Sequence, residues 1–183
     1  MRLSRRQLLK ILAIAVSTPL PVLELRFPKT AWAATGTAEA GWRLSDVEWR
    51  RRLSPEAYAV LRRQGTERPF TSPLLTEKRN GIYACAGCGL PLFSSDAKYE
   101  SGTGWPSFWA PLAGAVVTQL DFRLLVPRTE YHCRRCGGHQ GHVFKDGPRP
   151  TGERWCNNGV ALRFLPKAGA AQPNPAHPGR SSS

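Results

Sequence analysis

Methionine, acidic residues and uninterrupted apolar sequence are all scarce in this chain. Met1 is the only methionine, and 13 Asp and Glu face 26 Lys and Arg across 183 residues. Charged residues make up only 21% of the chain, which excludes a disordered polyelectrolyte, and no composition of this kind builds a multi-span membrane protein. Five cysteines are too few for a disulfide-dense mini-protein, and an odd number cannot all pair. What is left is one compact domain with tails, long enough to stand on its own core. The net charge of +13 points first to nucleic acid or an anionic membrane surface.

Part of that charge belongs to an address. Ser4-Arg5-Arg6-Gln7-Leu8-Leu9-Lys10 opens a stretch that stays apolar to Leu23, broken by Lys10, Ser17, Thr18, Pro19 and Pro21. Ala31-Trp32-Ala33 then offers a small-residue cleavage site. Charged, apolar and small-residue regions in that order form an export signal, and paired arginines before two leucines resemble the twin-arginine type. Arg26 and Lys29 supply the basic region before the cleavage site. Residues 1–33 are therefore expected to direct the protein to the periplasm and to be removed after Ala33. An uncleaved anchor facing the periplasm is the alternative, although the apolar stretch is short for a span. The signal holds six basic residues and Glu24, a net +5, so the mature chain carries +8 of the +13.

Residues 34–44 read as a linker, 45–167 as the folded domain and 168–183 as a disordered Ala, Pro, Gly and Ser tail. Ser45 and Glu48 have capping-box spacing for one short helix. Ser54-Pro55-Glu56 starts a second, with Tyr58, Val60 and Leu61 toward the core and Gly65 at its end. Short β-type runs follow near residues 81–85, 91–93, 116–120, 122–126, 129–132, 142–144 and 160–165. Many short strands without a long helix between them imply a mainly β, antiparallel fold.

Cys85-Ala86-Gly87-Cys88-Gly89 and Cys133-Arg134-Arg135-Cys136-Gly137 are one device used twice. Each pair can aim two sulfurs at one ion from a tight turn, and four thiolates suit a closed, structural zinc site. Two disulfides are the competing reading for an exported protein. The twin-arginine route carries folded cargo, so zinc could be loaded before export. Cys156 has no such partner. It lies between Arg154 and Asn157-Asn158, with His139 and His142 as possible neighbours, and cationic or hydrogen-bonding groups would favour its reactive thiolate. An inert core cysteine is the alternative. Ser101-Gly102-Thr103-Gly104-Trp105-Pro106 reads as a loop presenting an indole, a surface suited to a polarised methyl or cationic group, or else as core packing.

Together these stretches resemble the peptide-methionine (R)-S-oxide reductases, the B-type methionine sulfoxide reductase family. The likeness runs from about residue 49 to 166. It includes Gly65-Thr66-Glu67-Arg68-Pro69-Phe70, both cysteine pairs, the Trp105 loop, Gly141-His142-Val143-Phe144 and the segment from Pro150 to Phe164. The resemblance implies two small antiparallel sheets in a tent-like, Mss4-like β fold with short N-terminal helices and a zinc distant from the active site. It implies Cys156 as nucleophile on the sulfoxide sulfur, and His142 as acid or orienting group. His139 and Asn158 would polarise the substrate oxygen or organise its water, and Trp105 would receive the S-methyl group. Cys85, Cys88, Cys133 and Cys136 would hold the zinc. The product is methionine and a cysteine sulfenic acid.

The departures are informative. Many relatives place a resolving cysteine where this chain has Thr103, so no thiol is spare for an internal disulfide. A thioredoxin-like protein or small thiol is then expected to reduce Cys156. Trp155 replaces the usual Tyr, Asn157 an apolar residue, and residues 121–126 keep little beyond Asp121. Substrates would be oxidised proteins or free methionine sulfoxide, and the chain would act as a monomer in repair of oxidative damage. A zinc-stabilised module that binds nucleic acid or acidic partners through its basic surface is the rival reading. It has no need of Cys156, His142 or Trp105, and Arg50-Arg51-Arg52 and Arg62-Arg63 read as solvated helix faces. Without Met1 the mature chain could not suffer the lesion it repairs.

Overall fold

A computed structural model describes residues 39–168. The expected signal, residues 34–38 of the linker and nearly all of the tail lie outside the described residues; the remaining linker residues include a 3-10 turn, Ala40–Trp42. Helix α1 spans Asp46–Arg52 and α2 spans Pro55–Arg63. Both start as their caps require. The Ser45 hydroxyl accepts from the Glu48 amide at 3.3 Å, and Glu48 returns the favour to the Ser45 amide at 2.8 Å. Ser54 accepts from the Ala57 amide at 3.1 Å, with Pro55 at the first position. The end of α2 differs from expectation: Gln64, not Gly65, takes the left-handed conformation, at φ 54°. Gly65 is needed for a different reason. Its amide bonds back to the Ala59 carbonyl at 2.9 Å, and a Cβ there would crowd that carbonyl.

The rest is β structure in two antiparallel sheets. β1 (Gly81–Cys85), β2 (Pro91–Ser94) and β9 (Leu162–Pro166) form one, in the order β2-β1-β9. β3 (Lys98–Tyr99), β4 (Ser107–Phe108), β5 (Val116–Asp121), β6 (Arg128–Cys133), β7 (His139–Phe144) and β8 (Arg154–Asn157) form the other. Its order is β3-β4-β8-β7-β6-β5. Three expectations change. Residues 122–126 are not a strand: β5 pairs with β6 as far as Asp121↔Arg128, and Asp121 turns the chain by accepting the Arg123 amide at 2.9 Å. Phe122, Leu124, Leu125 and Val126 consequently stand exposed in the hairpin loop. The run at 160–165 divides into a 3-10 turn, Gly159–Ala161, and β9. β3, β4 and β8 carry no alternating signal and take their strand form from neighbours.

Aromatic rings join the sheets. Tyr83 and Phe93 of the small sheet meet Phe108 of the large one at centroid distances of 5.0 and 4.2 Å, and Tyr131 meets Phe93 and Trp155 at 6.1 and 5.0 Å. Each fully buried side chain of this size contributes roughly 1.5–3 kcal/mol. The basic helices pack on rings too: Arg62 lies 4.7 Å over Trp49 and Arg50 4.2 Å over Tyr58.

Asn157 is explained by this core. It alternates away from the Cys156 face and lies fully buried, where its Oδ1 accepts from the Tyr131 hydroxyl at 2.7 Å and its amide donates to the Asn158 carbonyl at 2.7 Å. Replacing Asn157 by Leu strands a buried hydroxyl and should cost about 1–3 kcal/mol. Adding Tyr131→Phe should return most of that loss. Urea unfolding of the two single variants, the double variant and the parent measures the coupling.

Candidate active site and metal centre

Two turns place the four paired cysteines together, one closing β1 and one joining β6 to β7. All four are buried and reduced. Their nearest sulfurs belong to opposite pairs, Cys85 to Cys136 at 3.6 Å and Cys88 to Cys133 at 3.5 Å, and all four ligand atoms lie within 4.8 Å of one another. A disulfide needs about 2.05 Å. Four thiolates on one tetrahedral zinc stand about 3.8 Å apart, so the spacing fits a shared ion rather than two bridges. The buried Gln140 amide points at Cys85 from 3.4 Å, and Arg62 holds the Cys136 carbonyl at 3.0 Å. The donors and their packing fit one metal ion, and that ion would tie the small sheet to the large one.

The fifth cysteine sits elsewhere. In antiparallel register Ser107 lies opposite Cys156, Cys156 opposite His142, His142 opposite Glu130 and Glu130 opposite Gln119. Residues directly opposite share a face, so these five form a row across five strands. Gly141 lets β7 lie close to β8, since a Cβ there would strike the Cys156 carbonyl. A cleft of about 220 Å³ opens over the row, lined by Cys156, His142, Trp105, Asn158, Phe144 and Arg128 among others.

The Trp105 loop forms one wall. Its indole N–H donates to the Glu67 carbonyl at 3.2 Å. The Glu67 amide donates to Asn158 Oδ1 at 3.0 Å, and its carboxylate accepts from the Gly159 amide and, at 3.0 Å, from the Val160 amide. Glu67 thus fastens the Trp105 loop to the turn after Cys156. Asn158 is held at its other end as well, donating to the Gln140 carbonyl at 2.9 Å. His139 is a step removed: it is 1% exposed and stands behind His142, ring centroids 5.4 Å apart.

Burial sets the electrostatics. It lowers the pKa of His142, although the Asp121 carboxylate 2.9 Å from its Nε2 pulls the other way, so the ring is uncharged at neutral pH. Asp121 is itself buried, which would raise it. The Arg123 amide, His142 and Arg128 at 2.7 Å outweigh burial and hold it well below the usual carboxylate range. An ionised Asp121 can only accept, so His142 Nε2 carries the hydrogen and Nδ1 the lone pair. Cys156 runs against the expectation from its neighbours. Arg154 and the Thr103 hydroxyl favour the thiolate, but burial wins and pushes the thiol up. Arg154 is shared with Asp146, at 2.9 Å from both of its carboxylate oxygens.

Cys156, His142, Trp105 and Asn158 therefore meet at one cleft, with His139 behind it and the four-cysteine cluster as a separate centre. The sequence gives no role to Asp121, Glu67 or Arg128. Asp121 ends a strand and Glu67 lies in a loop, and neither position has a local signal for the partner it meets.

The profile of the SelR domain family matches residues 53–166. The peptide methionine sulfoxide reductase MsrB of Hahella chejuensis is 50% identical over 129 residues, 70% of this chain and 93% of that protein. The protein of the same name from Leptospira interrogans is 54% identical over 121 residues, 66% of this chain and 92% of its own length. That of Thiobacillus denitrificans is 55% identical over 124 residues, 67% of this chain and 94% of its own length.

A thiol raised above its ordinary value of 9 is mostly protonated at neutral pH. Its alkylation by iodoacetamide should therefore climb about tenfold per pH unit up to its pKa and level off only above it. Arg154→Met, which removes the main cationic support of the thiolate, should slow alkylation at every pH below that plateau. Mass spectrometry of the Cys156 peptide against time gives both rates.

Proposed function

This chain belongs to the SelR-domain methionine sulfoxide reductase B family, and on that premise we propose that it reduces methionine-R-sulfoxide to methionine through Cys156. The observation that carries the reading is the register that sets Cys156 opposite His142 beneath the Trp105 indole.

The residues divide the work. Neutral His142, its Nε2–H held by Asp121, takes the thiol proton on Nδ1, and Asp121 balances the imidazolium that forms. The thiolate attacks the sulfoxide sulfur while the S-methyl group rests on Trp105. His142 then returns the proton to the sulfoxide oxygen. The sulfur–oxygen bond breaks, the hydroxyl passes to the Cys156 sulfur, and the thioether leaves. A thiol and a sulfoxide have become a sulfenic acid and a thioether, with protons balanced. Arg154 and Thr103 support the transient thiolate that burial opposes. Asn158, fixed by Glu67 and Gln140, keeps its wall of the cleft rigid, and His139 with Glu130 backs the His142 ring.

Regeneration falls to an outside thiol. Thr103 stands in the loop where many relatives carry a second cysteine, and the other four cysteines are gathered in the cluster. An external thiol, in a small molecule or a thioredoxin-like protein, attacks the sulfenic sulfur, and its proton leaves with the hydroxyl as water. A second thiol then resolves the mixed disulfide. In the cluster the ion would be zinc, held by Cys85, Cys88, Cys133 and Cys136, and it would tie the two sheets together without taking part in the chemistry. The chain works as a monomer on oxidised proteins, free methionine sulfoxide or both, in repair under oxidative stress. Its site is the periplasm, reached by the twin-arginine route with the zinc already bound, or the periplasmic face of the membrane if the signal is retained.

The separated R and S sulfoxides test the reaction. Turnover should be confined to the R form and vanish in Cys156→Ser; turnover of the S form, or survival in the variant, overturns the assignment. One equivalent of R sulfoxide without reductant should leave Cys156 oxidised by a single oxygen. A bond from Cys156 to Cys85, Cys88, Cys133 or Cys136 would refute regeneration by an outside thiol. Protein recovered from cytoplasm and periplasm should hold equal zinc, and metal-free periplasmic protein would refute loading before export.

A further inference from the structure

The large sheet assembles a second donor set on the two strands that flank the second cysteine pair. Glu130 and His132 are two apart on β6 and share a face. The register shifts at Tyr131/His132, which sets His139 opposite His132 and keeps it on the same face as His142. Glu130, His132 and His139 are 5%, 2% and 1% exposed. Glu130 Oε2 lies 3.0 Å from His139 Nδ1 and 3.4 Å from His132 Nε2, while the Gln119 amide occupies the other carboxylate oxygen. The three ligand atoms all fall within 4.8 Å of one another.

The hydrogen positions are what make this set unusual. His132 Nδ1 stands 3.2 Å from the Gly137 carbonyl, and a carbonyl only accepts, so Nδ1 carries the hydrogen. Nε2 is left facing the Glu130 carboxylate. A divalent cation placed between them would be held by both groups. His132 Nε2 and both ring nitrogens of His139 lack a hydrogen-bond partner, the Nδ1 of His139 being turned off the line to Glu130. A metal-binding histidine donates its spare ring N–H to a carboxylate or backbone carbonyl, as His132 Nδ1 does to Gly137, which leaves its other nitrogen for the ion. Ligands on one tetrahedral zinc with bonds of about 2.1 Å stand about 3.4 Å apart, close to the separations found.

We propose that Glu130, His132 and His139 form a second cation site, for a divalent ion of the zinc type, and that an ion there switches the enzyme off. Two imidazole nitrogens and one carboxylate oxygen suit zinc and leave its fourth position to water. The ion would engage His139 and so withdraw it from His142. The inhibition rests on the supporting role given to His139 above; the site itself does not.

The experiment uses the full-length protein with its cysteine cluster filled, equilibrated with zinc chloride and passed through a desalting column. Plasma mass spectrometry should find two ions per chain in the parent and one in His132→Asn, whose amide can keep the bond to Gly137. Zinc should suppress turnover of methionine-R-sulfoxide in the parent, reversibly with a mild chelator, and leave His132→Asn unaffected. One ion in the parent, or two in the variant, overturns the site. Two ions with undiminished parental activity uphold the site and overturn the inhibition. Should the variant not fold, cobalt added to the zinc-loaded parent decides. Visible d–d bands without thiolate charge transfer uphold a nitrogen and oxygen site, and their absence overturns it.

Discussion

The register of β7 against β8 is the constraint on which the rest of the site depends. Pairing His142 with Cys156 places a base and a thiol on one face without help from any loop. A slip of one residue would turn Cys156 into the aromatic core and bring Asn157 to the cleft. The register is protected from both sides. Asn157 is locked to Tyr131 beneath the sheet, and Gly141 admits the close approach of the two strands that a side chain would block. Beyond the sheet, Glu67 carries the same geometry to the Trp105 loop, so the cleft walls are fixed by hydrogen bonds to backbone rather than by long side chains.

Electrostatics at the cleft is a contest between burial and partners, and the outcomes differ residue by residue. Asp121 gathers enough donors to stay ionised although buried; His142, facing a single carboxylate, does not gain enough to hold a proton at neutral pH. Cys156 has a guanidinium nearby but shares it with Asp146. The result is a resting state with the proton on sulfur and a neutral imidazole opposite. In the proposed reaction that arrangement would move charge only when a substrate is present to receive the proton.

Features carried by short-range chemistry were legible in the sequence. The capping box at Ser45, the two cysteine pairs and the alternating runs at β1, β5 and β6 each announce themselves within a few residues. The resemblance of the Trp105 and Cys156 stretches to a known family brought the site into view. β8 was not legible, because Arg154-Trp155-Cys156-Asn157 is a strand only by virtue of partners on both sides. The loop at 122–126 misled for the opposite reason: its side chains favour a strand, but β6 is already paired with β5 and no neighbour remains. The thiol's direction of shift was missed because depth below the surface is not written in any local stretch. In the sequence Asp121 stands only as the familiar first residue of a divergent segment, whereas in the structure it anchors His142.

That hairpin between β5 and β6 separates two kinds of freedom. Its roots, Asp121 and Arg128, are bound to each other, and Asp121 is bound to the His142 ring, so they cannot drift without moving that ring. Its tip, Phe122 to Val126, is exposed and carries none of the core. Such a partition leaves the tip's side chains open to substitution while the groups at its roots stay tied to the cleft.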